Sequence, residues 1–317
     1  MKAAPTLLAC DVGGTRIKVG LVRGGRLLAR REIDARASGG LGPALERIVR
    51  AGVRCCREAG VPRSGLGGVG LSFPGIIEPG TGRILSTPAG KFDDARTIDV
   101  ARWVEGRLGV PTLVCNDANA ALAGEWRGGA ARGFRSVVMM TLGTGIGTSA
   151  IIDGVPLRGQ HGQAGCLGGH WVLNVDGDDC PCGNRGCAET EASTWALPGR
   201  ARAHPDFPSS RLARAGTLDY AAVFRAAAAG DAMAIELRDR AIRVWAATVV
   251  SLIHAYDPEC VVIGGGIMRS GAILLPRLRR RVARLAWTPW GKPKVRASAL
   301  GNDAALLGVA ALFGENR

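Results

Sequence analysis

The stretch Leu7-Leu8-Ala9-Cys10-Asp11-Val12-Gly13-Gly14-Thr15-Arg16-Ile17-Lys18-Val19-Gly20-Leu21-Val22 decides the fold class. Two short apolar runs, Leu7 to Asp11 and Ile17 to Val22, joined by a glycine turn, predict a β-hairpin. The turn returns into a strand and does not feed a helix, which separates it from dinucleotide-binding and Walker loops. Backbone N–H groups beside Gly13 and Gly14 can approach a phosphate closely, and Thr15 adds a hydroxyl donor. The carboxylate of Asp11 fits beside phosphate only where Mg²⁺ or its water shell lies between them. The alternative is a plain glycine hairpin with a capping Asp.

Further along, Ser136 to Leu142, the turn Gly143-Thr144-Gly145 and the return strand Gly147 to Ile152 repeat this pattern. Two such hairpins predict two related lobes holding a nucleotide in the cleft between them. Gly264-Gly265-Gly266, after the apolar run Val261 to Ile263, is a third place where backbone comes close to a ligand, the nucleoside being the candidate, and the alternative is a tight strand-to-helix turn.

The remaining elements are mixed α/β. Strands are expected at Leu27 to Arg31, Val69 to Ser72 and Thr112 to Cys115, and helices at Pro43 to Ala59, Ile98 to Leu108 and Ala118 to Trp126. Residues 198–217 read as a long surface loop, Asp231 as the cap of a helix running to Ala255, and Asp303 as the cap of a terminal helix to Phe313. Asn116-Asp117 sits where a strand meets a helix. Asp117 is an N-cap on local grounds, and a candidate base for an attacking hydroxyl once the flanking glycine hairpins are considered.

Length and composition bound the function classes. At 317 residues the chain exceeds a single hydrophobic core, so two domains are expected. With 47% hydrophobic and 21% charged residues, disorder and coiled coil are excluded. The net charge of +14 invites nucleic acid, yet only five of the 41 basic residues are Lys and the Arg is spread end to end. The densest run, Arg277, Arg279, Arg280, Arg281 and Arg284, has helical spacing without interleaved aromatics and reads as a solvated helix face. Leu7-Leu8-Ala9-Cys10 mimics a lipoprotein cleavage box behind Lys2, but Pro5 interrupts a stretch too short for export. A soluble cytoplasmic protein with no membrane or nucleic-acid partner is the expectation.

Nine cysteines are present, and three crowd together. His170, Cys180, Cys182 and Cys187 form H-x9-C-x-C-x4-C with Gly183 and Gly186 in a tight knuckle, a donor set that suits a closed, structural tetrahedral Zn²⁺. His161 lies close enough to compete with His170. His204 reads as a loop residue and His254 as a core residue.

Taken in order, these segments resemble the ROK family of bacterial sugar kinases and related repressors, of the actin and hexokinase fold superfamily. Asp11 to Thr15 resembles its first phosphate loop, Gly70 to Gly75 (GLSFPG) its following strand and turn, Asn116 to Ala120 its sugar-binding and catalytic segment, and Leu142 to Gly147 its second phosphate loop. His170 with Cys180 to Glu189 resembles its zinc knuckle, Pro258 to Gly266 its adenosine turn, and Leu300 to Ala304 the start of its terminal helix. The resemblance implies a two-lobed actin-like ATPase (ribonuclease H-like) α/β fold, with mixed sheets flanked by helices. It divides the chain into 1–117 with 303–317, and 118–302.

It further implies phosphorylation of a hexose or hexose derivative by ATP with Mg²⁺, with Asp117 as general base. Asn116, Glu189, His170 and Gly75 would hold the sugar. Asp11, Gly13, Gly14, Thr15, Gly143, Thr144 and Gly145 would hold phosphates, and Gly264, Gly265 and Gly266 the adenosine. Zinc would shape the loop presenting the sugar ligands, and a homodimer is implied. Two departures bear on the sugar: Cys166-Leu167-Gly168-Gly169-His170 lacks the family Glu, with Gln163 a candidate replacement, and Ala89 follows Pro88 where the family commonly has Asn. Two other classes share these motifs in part. A sugar-sensing repressor would need a DNA-binding helix pair, and ten residues before Asp11 are too few; a non-catalytic sugar-binding protein would fit the missing acid.

Overall fold

The structure, a computed structural model, describes residues 4–88 and 90–315. Ala89, one of the two departures, lies outside the described residues. In chain order the elements begin with β1 (Thr6–Val12), β2 (Arg16–Arg23), β3 (Arg26–Asp34), α1 (Leu41–Glu58), β4 (Leu66–Phe73), β5 (Ile76–Ile77) and β6 (Ile84–Ser86). They continue with α2 (Val100–Leu108), β7 (Thr112–Asn116), α3 (Asp117–Gly128), β8 (Val137–Leu142), β9 (Ile146–Ile152) and β10 (Val155–Pro156). The rest are α4 (Ala188–Ala192), α5 (Leu197–Arg202), α6 (Tyr220–Ala228), α7 (Ala232–Tyr256), β11 (Cys260–Gly264), α8 (Gly271–Leu285), β12 (Lys294–Ala297) and α9 (Ala304–Glu315). No helix among the described residues is long and apolar enough to cross a membrane.

The chain packs as two compact units. The first ends its opening stretch at Gly133 and takes in Val155–Cys166 and the residues from Ala299 onward; the second holds Phe134–Gly154 and Leu167–Ser298. This grouping differs from the expected division at Asp117 in keeping α3 in the first unit, where it packs on α9.

In the first unit β1 pairs antiparallel with β2 and parallel with β4, giving the order β3-β2-β1-β4-β7. The two-residue period of β1 sends alternate side chains to opposite faces. Leu8, Cys10 and Val12 join a core with Leu41, Leu45 and Ile48 of α1, while Leu7 and Ala9 join Leu306, Val309 and Phe313 of α9. Each large side chain so buried contributes about 1.5–3 kcal/mol. Helices therefore cover both faces of a mixed sheet, as an α/β fold requires.

Gly124 and Gly308 let α3 and α9 touch backbone to backbone, since a Cβ on either would strike a carbonyl, that of Ala304 or Ala120. Fully buried Glu125 closes the joint by accepting from Ala130 N (2.7 Å), Ala299 N (3.0 Å) and Leu300 N (2.8 Å). Asp303, expected as the α9 cap, has its carboxylate 3.1 Å from Nε of Arg30.

The second unit repeats the connectivity. β8 and β9 form an antiparallel hairpin, and β11 and β12 add parallel to β8, so β9-β8-β11-β12 mirrors β2-β1-β4-β7. Leu274, Leu278 and Val282 recur every four residues on the buried side of α8, leaving Arg277, Arg279, Arg280 and Arg284 exposed. Asp231 caps α7 as expected, its Oδ1 accepting from Ala234 N at 2.9 Å. The stretch 198–217 is not the long loop expected: α5 overlaps its start, and tight turns at Phe207–Ser209 and Arg211–Arg214 follow. Buried Leu197, Ala201 and Leu212 pin it, apolar anchors that the surrounding Pro, Arg and Ser mask in the sequence.

Candidate active site

Strand register brings together the polar residues at the strand ends of the first unit. Asp11, at the end of β1, faces Lys18 on β2 and Ser72 on β4. Its Oδ2 accepts from Lys18 Nζ at 2.9 Å and its Oδ1 from Ser72 Oγ at 2.9 Å. Just beyond, Gly13 N donates to Arg16 O at 3.0 Å and closes the hairpin, with Thr15 exposed at its tip.

In the same unit β7 ends at Asn116 and α3 begins at Asp117. Asn116 is the N-cap: its Oδ1 accepts from Ala118 N (2.9 Å) and Asn119 N (3.1 Å), while Nδ2 donates to Gly75 O at 2.9 Å. Gly75 and Asn116, both expected at the sugar, are thus joined. With capping done by Asn116, Asp117 is left to turn its carboxylate elsewhere, keeping one bond from Ala118 N at 2.8 Å. Burial pushes the Asp117 carboxyl up to about 7, and the negative charge of Asp11 adds to the rise; the N–H groups of Ala118 and Asp117 and the Lys18 ammonium act the other way. A buried carboxyl with a pKa raised this far, beside the Asp11–Lys18 ion pair, marks a candidate functional group. The charge of Asp117 also reaches the thiol of Cys166, whose pKa is raised first by burial. Gln163 is exposed.

The second unit carries the other glycine turns. Gly143 N donates to Gly145 O at 3.0 Å between β8 and β9, and Thr144 is exposed. Glu189 on α4 buttresses this turn: its Oε2 accepts from Ile146 N at 2.8 Å and its Oε1 from Trp195 Nε1 at 3.2 Å. A Cβ at Gly145 would collide with that carboxylate. Gly265, with φ of 89°, lies so close to Leu142 that a side chain would meet its backbone, and both Gly265 and Gly266 are exposed. The second and third glycine turns are thereby neighbours.

His170, Cys180, Cys182 and Cys187 also come together in this unit, their ligand atoms all within 4.8 Å of one another. Cys180 Sγ is 3.6 Å from His170 Nδ1 and Cys182 Sγ is 3.7 Å from Cys187 Sγ. Zinc–sulfur bonds of about 2.3 Å at tetrahedral angles put sulfurs about 3.8 Å apart, so the donor set fits that ion. Gly183 and Gly186 take φ of 90° and 66° in the knuckle. His161 is exposed and outside the cluster. His254, expected in the core, is instead exposed at the end of α7, where its Nε2 accepts from Trp287 N at 3.0 Å.

Lys18 and Ser72 escaped the sequence reading. The signal was present: Lys18 is the one charge inside the apolar run Ile17 to Val22, and Ser72 a lone hydroxyl in buried β4.

The ROK family model matches residues 7–316. A glucokinase of Thermotoga maritima is 34% identical over 98% of this chain and 97% of its own length. Among solved structures, a ROK hexokinase from Thermus thermophilus is 33% identical, with a TM-score of 0.79 over 98% of this chain and 100% of that chain. A ROK family glucokinase from Streptomyces griseus, in complex with glucose and AMPPNP, is 31% identical with a TM-score of 0.79, covering 97% and 98%. The fold is that of these kinases, the actin-like ATPase fold. With its motifs in the family's order along nearly the whole sequence, this chain belongs to the ROK family.

Proposed function

We propose that this chain is a sugar kinase that moves the γ-phosphoryl group of ATP to a hydroxyl of a hexose or hexose derivative. The observation that carries the reading is the Asp117 carboxyl, pushed up to about 7 beside the Asp11–Lys18 pair. A general base works best with a pKa near the operating pH, where it is largely ionised yet still takes a proton readily. The glucose and AMPPNP bound by the Streptomyces griseus relative support a hexose acceptor and an adenine nucleotide donor.

Asn116, fixed by its bonds to Gly75 and the first turn of α3, presents Asp117 at a helix N-terminus whose dipole favours the ionised form. With Gly13 N and Gly143 N used within their own turns, the backbone N–H groups of Gly14 and Thr15 in one hairpin and of Thr144 and Gly145 in the other would meet phosphate oxygens. Both oxygens of Asp11 keep lone pairs beyond Lys18 and Ser72, so Asp11 would hold the water shell of Mg²⁺, which when bound offsets phosphate charge. Glu189, already holding the second hairpin, can accept a sugar hydroxyl on a remaining lone pair, so one side chain would link sugar and phosphate sites.

His170, Cys180, Cys182 and Cys187 would bind Zn²⁺ with no position open to substrate. Free thiols throughout the chain support a reducing, cytoplasmic setting, and the family resemblance implies a homodimer. The missing acid near Cys166 argues for a sugar other than glucose or a relaxed preference, because a site loses discrimination when a hydroxyl partner is removed. Sugar-dependent ADP release across hexoses, amino sugars and N-acetylated sugars tests the reading. Turnover on at least one is expected, and none across the panel would sink it.

A further inference from the structure

Between β6 and α2 the backbone adopts a conformation that its local sequence does not favour. Phe92 has φ of 54° while fully buried, its ring 5.5 Å from that of Phe73. A bulky residue in the left-handed region is an outlier that surrounding structure must impose. Here Phe92 N donates to Ala37 O at 2.9 Å. Two residues on, the Asp94 carboxylate accepts from Leu41 N (2.5 Å) and Gly42 N (3.1 Å) at the start of α1. Gly90, on the other side, has φ of 71°.

The residue held between Gly90 and Phe92 is Lys91. Its side chain lies over the first glycine hairpin: a Cβ at Gly14 would sit 2.8 Å from Lys91 Cδ and 2.9 Å from Nζ. Lys18 and Arg16, the cations of the hairpin itself, are paired with Asp11 and Asp34. The Lys91 ammonium has no hydrogen-bond or ion-pair partner among the described residues. A strained, doubly pinned segment thus lays an uncompensated cation on a loop whose backbone suits phosphate, and strain of this kind collects where a site needs a group held in place.

We propose that Lys91 is a catalytic residue that contacts the terminal phosphate of ATP. The inference rests on the kinase reading above. In the step, the bond between the sugar oxygen and Pγ forms as the bond between Pγ and the β-phosphate oxygen breaks. The electron pair of the broken bond stays on ADP, and the hydroxyl proton goes to Asp117. Lys91 donates to the γ-phosphoryl oxygens throughout and is itself unchanged. A side chain at Gly14 would push the ammonium from this position.

The test compares wild type, Lys91→Met and Lys91→Arg as full-length protein, by kinetics on the best sugar and by calorimetric binding of AMPPNP and ADP with Mg²⁺. Lys91→Met is expected to lower kcat roughly 100-fold, as loss of one transition-state donor does. It should weaken AMPPNP about tenfold relative to ADP with the sugar KM unchanged, and Lys91→Arg should recover part of both. Wild-type kcat in Lys91→Met, or equal losses for AMPPNP and ADP, would overturn the proposal. Should wild type turn over no sugar, the kinase reading fails separately, and the AMPPNP-to-ADP ratio still decides what Lys91 touches.

Discussion

As the proposed base, Asp117 would answer two opposed demands, since the carboxyl must ionise to take a proton while its surroundings favour the neutral acid. Its folded-state pKa is raised from 3.8 to about 7. Below about 7 the ionised fraction falls tenfold per pH unit, so kcat/KM should fall with the same slope toward acid. Stability runs the other way. From about 4 to about 7 the folded chain keeps a proton that the unfolded chain has released, so this group's favourable contribution is present below 4 and lost as pH rises through 7. Asp117→Asn should therefore lower kcat about a thousandfold or more, yet melt higher than wild type at pH 8. Paired rate and melting measurements check both, and a variant with intact turnover would exclude Asp117 as the base. Asn116 and Asp117 were legible because their chemistry is contiguous in sequence. Lys18 and Ser72 reach Asp11 through strand register, and Lys91 reaches Gly14 through a loop pinned by Phe92, none of which local spacing encodes.

At the scale of elements, the knuckle ending at Cys187 runs directly into α4, which carries Glu189 two residues later. Order in the His/Cys cluster thus passes to the buttress of the second glycine turn over a distance too short to absorb disorder. Metal analysis of protein prepared without chelators should find one zinc per chain. Cys182→Ser should lose it, raise the KM for ATP several-fold and leave the fold of the first unit intact by near-ultraviolet dichroism. Full activity in a zinc-free variant would detach the knuckle from the site. The hairpins, the two long helices α1 and α7 and the cysteine cluster were readable as elements, because periodicity and spacing are local properties. The buried anchors within 198–217 and the exposed position of His254 were not, since each depends on which distant side chain packs beside it.

For the molecule as a whole, the first unit is a composite of three stretches far apart in sequence. Its closure depends on the backbone contact of α3 with α9 and on Glu125, which ties α3 to Ala299 and Leu300. Gly308→Val would press two methyl groups against the Ala120 carbonyl and should cost about 2–3 kcal/mol, read as a lower urea midpoint. An unchanged midpoint would mean that α9 can shift freely on α3. This arrangement also has a consequence for synthesis on the ribosome. The second unit's sequence is complete at Ser298, before α9 is made, while Leu7 and Ala9, made long before it, wait for Leu306 and Val309 to cover them. The second unit's sequence is thus translated between two stretches of the first, and until α9 emerges the Leu7 and Ala9 face of the first sheet stays open to water.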